Sequence, residues 1–479
     1  MNCPYCENYI EPDWDYCKHC NKPLIVNLER KKRSIFSQTI DNDLATLKHY
    51  HMAEELYDYN IINDEKIEKK IDEINRNLEQ KQSLGESFGS LLLEKASLYY
   101  KKRDLSTSLK VLKLALNYFM EETNFLHLAI SHNEIGLIHE ENGFFDDAIS
   151  HFEQSIGFLK KINEKHKLIL VYNNLANIYY LINDLEHSYE FYSKALKMAE
   201  QNNFVSEEIK ISSNLIDVLF SLKNHDKVKK ILNRNLEYFR QSGDLYGTII
   251  SLTKLGKLNY HLGSNNYQYS HQNLKDALDL INSVRNQISI LSNAQLKWEC
   301  YLYLGKLNLF WKKYGEAEDY LLKSLEAVRI FELGESLNEA TILKNLAKFY
   351  NIKGEYQTAI DYYNLSNEIY YKFGNDIKVA QLKSKIAKIF LDNIGNESES
   401  IKNYEDALEI FEDQNYIKNS AQILHKLGDI YINKGIIELA LSNWQKALHY
   451  YQDLLDEYNS NLIAEKIKSL GTSNSDLFY

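Results

Sequence analysis

The sequence predicts an all-α chain built as a solenoid of helical hairpins, with a small cysteine-rich module ahead of it. Three observations carry that reading. All three prolines, Pro4, Pro12 and Pro23, fall in the first 23 residues of a 479-residue chain. Proline costs about 3 kcal/mol inside a helix, because it removes a donor and clashes with the preceding turn, so the remainder is open to helix. A large residue followed by a small one recurs at intervals near 40 residues from Ala96 to Gly428. Four of the five cysteines stand in two Cys-x-x-Cys pairs within the proline-bearing segment.

The module comes first, over residues 1–24. Cys3 and Cys6 form one pair, Cys17 and Cys20 the other. Each pair places two thiolates on one turn, and two such turns complete a closed tetrahedral sulfur shell, so one structural zinc ion is expected. A segment this short buries too little core to fold alone, and the metal would supply most of its folding free energy. Disulfides need an oxidising compartment, and a redox pair needs a βαβ setting that is absent here. His19 lies inside the second pair and reads as an exposed knuckle residue. The segment resembles the short zinc ribbons of many archaeal and bacterial proteins, including the closing Cys-Asn-Lys-Pro-Leu. Those carry glycine after each pair; here Glu7 and Asn21 stand there. Residues 25–40 read as a solvated linker, with Arg30, Lys31, Lys32 and Arg33 a short basic run.

Residues 41–84 have helical periodicity without the repeat signature and are expected to form an irregular N-terminal cap. The repeats occupy 85–454. Ile135-Gly136-x-x-His139, Leu175-Ala176-x-x-Tyr179, Leu346-Ala347-x-x-Tyr350 and Leu427-Gly428-x-x-Tyr431 each open a hairpin. A turn and a second helix with small residues follow, as in Gly143 with Ala148 and Gly435 with Ala440. Short side chains recur because paired helices approach to about 8–10 Å only where the neighbour's ridge has room. Aligning on the small position gives nine units, at Ala96, Gly136, Ala176, Ile216, Gly256, Gly305, Ala347, Ala387 and Gly428. Ile216 marks a degenerate unit, with Val228 and Asn235 also standing where small residues belong. The longest spacing, 49 residues between Gly256 and Gly305, predicts an extended hairpin. A capping helix is expected over 455–470, as solenoids require, and a disordered tail over 471–479.

This pattern is similar to the tetratricopeptide repeat (TPR), and the long period and missing proline resemble the kinesin-light-chain-like subclass. The resemblance implies a right-handed superhelix whose first helices line a concave surface, with the positions flanking the large-small pair facing a ligand. Asn173-Asn174-Leu175-Ala176 resembles the Asn-Asn-Leu-Ala of kinesin light chains, whose asparagines contact a peptide backbone. Carried over, this makes Asn174, Asn177 and Asn214 candidate peptide-binding residues. Further along, lysines take over at the same positions: Lys254, Lys257, Lys306, Lys344, Lys348 beside Asn345, Lys385, Lys388 and Lys426. A wall of that kind favours an acidic or phosphorylated segment. A solvated helix face is the plainer reading of the same lysines.

Composition narrows the function. Hydrophobic residues make up 44% and charged ones 26%, as in ordinary globular proteins. The net charge is −11, with +1 on residues 1–40, and so acidic a body disfavours nucleic acid as a partner. No apolar run approaches membrane-spanning length, and Met-Asn-Cys-Pro lacks the features of a leader, so a cytoplasmic location and no membrane partner are expected. Phosphate-binding glycine loops, Gly-x-Ser-x-Gly and His-Glu-x-x-His are all missing, which argues against an enzyme. The expectation is a protein-interaction scaffold that binds a protein or peptide. A nucleic-acid-associated regulator using the ribbon and a small-molecule sensor are the alternatives. Cys300 is expected to be a buried thiol.

Overall fold

The computed structural model describes residues 64–79, 88–285, 290–332 and 335–475. Cys3, Cys6, Cys17 and Cys20 lie outside the described residues, as does the 25–40 linker. The described residues divide into two compact units, one ending at Gly263 and one beginning at Ser264.

The first unit holds α1 (Asp64–Glu79), α2 (Phe88–Lys101), α3 (Leu105–Glu121), α4 (Phe125–Glu141) and α5 (Phe145–Lys161). It continues through α6 (Lys165–Leu181), α7 (Leu185–Asn202), α8 (Val205–Ser221), α9 (His225–Ser242) and α10 (Leu245–His261). The second begins with a 3₁₀ turn at Ser264–Asn266, then α11 (Tyr267–Ser283), α12 (Ile290–Phe310), α13 (Tyr314–Phe331), α14 (Leu337–Lys353) and α15 (Tyr356–Lys372). After these come α16 (Asp376–Ile389), α17 (Glu397–Asp413), α18 (Ile417–Asn433), α19 (Ile437–Asp453) and α20 (Glu457–Ser475). No strand occurs among the described residues, and no helix there is long and apolar enough to cross a membrane.

Within each unit consecutive helices pack on one another. The first helices of successive hairpins also touch, α4 on α6, α6 on α8 and α12 on α14. Close approach within a hairpin depends on the small residue. A Cβ built on Gly136 would lie 2.7 Å from the Phe152 ring, and one on Gly428 would lie 2.3 Å from that of Trp444. The second helix carries its own device, a buried serine bonded to a first-helix carbonyl. Ser155 Oγ donates to the Ala129 oxygen at 2.8 Å, Ser188 to Ala176 at 2.9 Å and Ser366 to Ala340 at 2.7 Å. A hydroxyl therefore sits in the interface at no cost of an unmade bond.

Side-chain caps and left-handed turns punctuate the helices. Asp104, Asn124, Asp184, Asn224 and Asp244 cap α3, α4, α7, α9 and α10 through their carbonyl or carboxylate oxygens. Each turn between the two helices of a hairpin needs one residue at positive φ, supplied by Gly143 and Gly354 but also by Arg103, Asn183, Lys223 and Lys312.

Three irregularities in the repeat series have visible causes. One turn of π-helix at Phe390–Ile394 adds a residue after α16, which accounts for the longer interval from Ala387 to Gly428. Around Gly256, α10 belongs to the first unit and α11 to the second, so that expected hairpin is divided between them. Around Ile216, α8 and α9 pack on each other more thinly than the helices of the other undivided hairpins, and each leans on its outer neighbour, α7 or α10. There Asn235 is buried and held by Ser212 and Ser213 at 3.1 and 3.2 Å. At the C-terminus, Trp444, Ala447 and Tyr451 of α19 pack with Ile463 of α20, the helix expected as a cap. That helix continues through Gly471 to Ser475.

Candidate functional site

The candidate binding residues occupy one register of the first helices, just before and just after the small residue, and each unit presents a distinct chemistry there.

In the first unit the register is a row of buried amides. Asn174 Nδ2 of α6 donates to Asn133 Oδ1 of α4 at 3.0 Å, and Asn214 Nδ2 of α8 donates to Asn173 Oδ1 at 2.9 Å. Asn214 also lies 3.4 Å from Asn177 Oδ1, which accepts a bond from the Tyr192 hydroxyl. Because the first helices of successive hairpins touch, residues about one repeat apart come into hydrogen-bond range. The row fixes the rotamers of Asn174, Asn177 and Asn214. Asn133 belongs to it and was not among the expected residues, although it stands at the same distance from Gly136 as Asn173 does from Ala176. On α10, Lys254 is engaged by Asp217 of α8, with its ammonium 3.0 Å from both carboxylate oxygens. Lys257 lies over the Phe220 ring at 5.8 Å.

In the second unit the register is cationic. Lys306 of α12 stacks over Tyr303 at 4.4 Å. Lys344 and Lys348 of α14 face Lys385 of the next first helix, α16, closely enough for their charges to act on it. The Lys344 ammonium is pushed below the ordinary lysine value by burial. Lys385 is exposed to solvent at its surface, yet it too is held down. The first cause is displacement of bulk water by surrounding protein; the next is repulsion from Lys344, Lys348 and Lys378. Lys385 also lies over the buried Tyr363 ring at 5.9 Å. No carboxylate among the described residues pairs with Lys344, Lys348, Lys385 or Lys388. Other lysines of the same two hairpins are paired: Lys353 with Glu355 at 2.8 Å, Lys372 with Glu335 at 2.7 Å and Lys383 with Asp406 at 2.5 Å. The candidate register thus holds four cations without a carboxylate, and Lys378 beside it reaches only Gln381 Oε1, at 3.4 Å. Such an arrangement costs stability unless an anion arrives.

The remaining expected residues are placed differently. Asn345 donates to the Thr341 carbonyl of its own helix at 2.7 Å. Lys426 of α18 is exposed, but beside it Asp429 accepts from Lys466 of α20 at 2.6 Å and from Trp444 Nε1 at 3.1 Å, so this end is of mixed charge. Cys300 is fully buried in α12. No cluster of metal-ligating side chains occurs among the described residues.

Comparison with known proteins agrees with the architecture. Residues 127–201, which span α4 to α7, match the tetratricopeptide repeat family. Over 366 residues the chain is 21% identical to a Tonsoku-like protein of Drosophila melanogaster, covering 72% of this chain and 24% of that protein. The chain thus spans about a quarter of the length of the curated relative it matches. Among solved structures, the apo form of the quorum sensor NprR from B. thuringiensis aligns with a TM-score of 0.51 at 15% identity, covering 81% of this chain and 99% of that one. A signal transduction ATPase with a tetratricopeptide repeat sensor from Pyrococcus horikoshii aligns with a TM-score of 0.50 at 12% identity, covering 91% and 71%. At these identities the likeness is one of fold.

Proposed function

We propose that this tetratricopeptide-like chain is a non-enzymatic interaction scaffold, and that the lysine register of its second unit receives an acidic or phosphorylated segment of a protein partner. The observation that carries the proposal is a cluster: Lys344 and Lys348 act on Lys385, and no carboxylate pairs with these three or with Lys388, while Lys353, Lys372 and Lys383 of the same hairpins have carboxylates and Lys378 reaches only Gln381. A bound carboxylate or phosphate would relieve their mutual repulsion and make charge-assisted hydrogen bonds. In the first unit, Asn174, Asn177 and Asn214 are buried and engaged by the amide row, so they would hold successive first helices in register rather than meet a peptide backbone; Lys254, already bound to Asp217, would contribute little.

Fluorescence anisotropy with acidic, neutral and phosphorylated peptides tests the reading, with Lys344, Lys348, Lys385 and Lys388 all changed to Glu as the variant. Acidic peptides should bind the wild type and lose at least about a hundredfold in affinity to the variant, at roughly 1 kcal/mol per removed contact. Equal affinity for a variant whose circular dichroism is unchanged would sink the proposal.

A cytoplasmic setting and one zinc ion held by Cys3, Cys6, Cys17 and Cys20 are part of the same proposal, the metal supported by the closed four-thiolate spacing. Elemental analysis of purified protein should give about one zinc per chain, lost when Cys6 and Cys17 are changed to Ser.

A further inference from the structure

A cavity of about 330 Å³ opens between α12 and α13, inside the second unit and away from the lysine register. Asn293, Ala294 and Lys297 line it from one face of α12; Lys323, Glu326 and Ala327 line it from α13; Arg285 stands at its rim.

Two other hairpins show what can fill this space. Counting from the small residue of the first helix, Ala294 and Ala327 occupy the places that Phe125 and Phe158 occupy in the α4–α5 hairpin. There the two rings stack at 5.9 Å and plug the gap. By the same count, Lys297 and Lys323 occupy the places of Glu208 and Arg234 in the α8–α9 hairpin, which form an ion pair with Glu208 buried. The α12–α13 hairpin has neither the aromatic pair of the one nor the ion pair of the other: a second cation, Lys297, stands where Glu208 stands, and Glu326 is the one carboxylate on the lining. Lys323 keeps a partner of its own, Asp319 at 2.7 Å. Lys297 sits near Arg285, and desolvation and that guanidinium both hold its ammonium below the ordinary value. Asn293 Nδ2, another donor on the lining, is buried without a partner.

We propose that this cavity binds a small organic anion whose carboxylate or phosphate group stands where Glu208 stands in the α8–α9 hairpin. Lys297, Arg285 and the Asn293 amide would receive the anionic group. Its apolar part would lie against Ala294 and Ala327, where the other hairpin keeps two phenylalanines. A volume near 330 Å³ suits a ligand of a few carbon atoms with one head group.

The test uses the full chain and five probes at constant ionic strength: hexanoate, phenyl phosphate, acetate, inorganic phosphate and the neutral hexanamide, each followed by calorimetry. Hexanoate or phenyl phosphate should bind at least about tenfold more tightly than its short counterpart, and hexanamide should not bind. The better of the two identifies the head group. Lys297→Glu recreates a carboxylate opposite Lys323, so it should lose binding by about tenfold or more while the melting temperature of the ligand-free protein rises by about 2 °C. Lys297→Met, which keeps the side-chain length, and Ala294→Phe, which restores half of the plug, should each weaken binding to a similar degree. Binding that survives Lys297→Glu and Lys297→Met, or failure of both hexanoate and phenyl phosphate to saturate the wild type, would overturn the proposal.

Discussion

Lys312 illustrates how much of this structure depends on single backbone positions. It takes the left-handed conformation at φ 59° between α12 and α13, a place that glycine fills in the hairpins of Gly136 and Ala347. A side chain in that region costs about 1 kcal/mol or more, because Cβ crowds the following carbonyl. Lys312→Gly should therefore raise the midpoint of chemical denaturation by the equivalent of about 0.5–1 kcal/mol, after the added flexibility of the unfolded chain is deducted. An unchanged or lower midpoint would mean that the lysine makes a compensating contact. At the same scale, the candidate lysines differ only in what stands near them: Lys383 has Asp406, and Lys385, two residues on, has Tyr363 and three other lysines.

At the scale of the element, the α4–α5 hairpin holds a histidine cluster with a pH signature. His132 Nδ1 lies 2.9 Å from His151 Nδ1, and the His139 and His151 rings stack at 5.5 Å. Burial pushes His132 and His151 down to about 4, and His139 is also lowered. Facing them, Asp147 raises His139 and His151, Lys113 of α3 lowers both, and the Phe158 ring stacks on His132 at 5.8 Å. The folded hairpin thus keeps these imidazoles neutral where the unfolded chain, at the ordinary 6.5, takes up protons. Stability is untouched above pH 6.5 and is lost as the pH falls from there towards 4. Urea unfolding across that window should show the loss, and His151→Gln should flatten it. Equal slopes in both proteins would place the acid sensitivity elsewhere.

The same scale shows what could be read beforehand. Helices, turns and the nine small positions follow from local chemistry, since proline, glycine and the large-small pair act over one or two turns. The single-residue π turn at Phe390–Ile394 was visible only as an odd interval. Three features were not legible because they depend on residues brought together from distant parts of the chain. Lys254 resembles the other lysines until α8 sets Asp217 against it, and the asparagines look like a ligand-facing row until stacking joins each to the next. The cavity at Lys297 emerges only when two hairpins are compared position by position. The serines that bond first-helix carbonyls had a local sign, their recurrence among small residues, but their partners lie on the other helix.

For the molecule as a whole, a net charge of −11 coexists with a local group of unpaired lysines. An acidic partner is repelled at long range and attracted at short range, and screening acts on both. At low salt the overall field opposes encounter, so association should depend less steeply on ionic strength than the number of lysines alone implies.

The amide row also bears on copy number. Asn174 meets Asn133 and Asn214 meets Asn173, so each contact joins residues one hairpin apart, and the hairpin between them is interchangeable with its neighbours. Excising residues 165–204 would bring Asn214 to the place that Asn174 now holds beside Asn133. A double-mutant cycle between Asn133 and Asn214 in the shortened chain should then show a coupling of about 0.5–1.5 kcal/mol that is absent at full length. A chain with this property can gain or lose a repeat in a single genetic event and still seal its own joint.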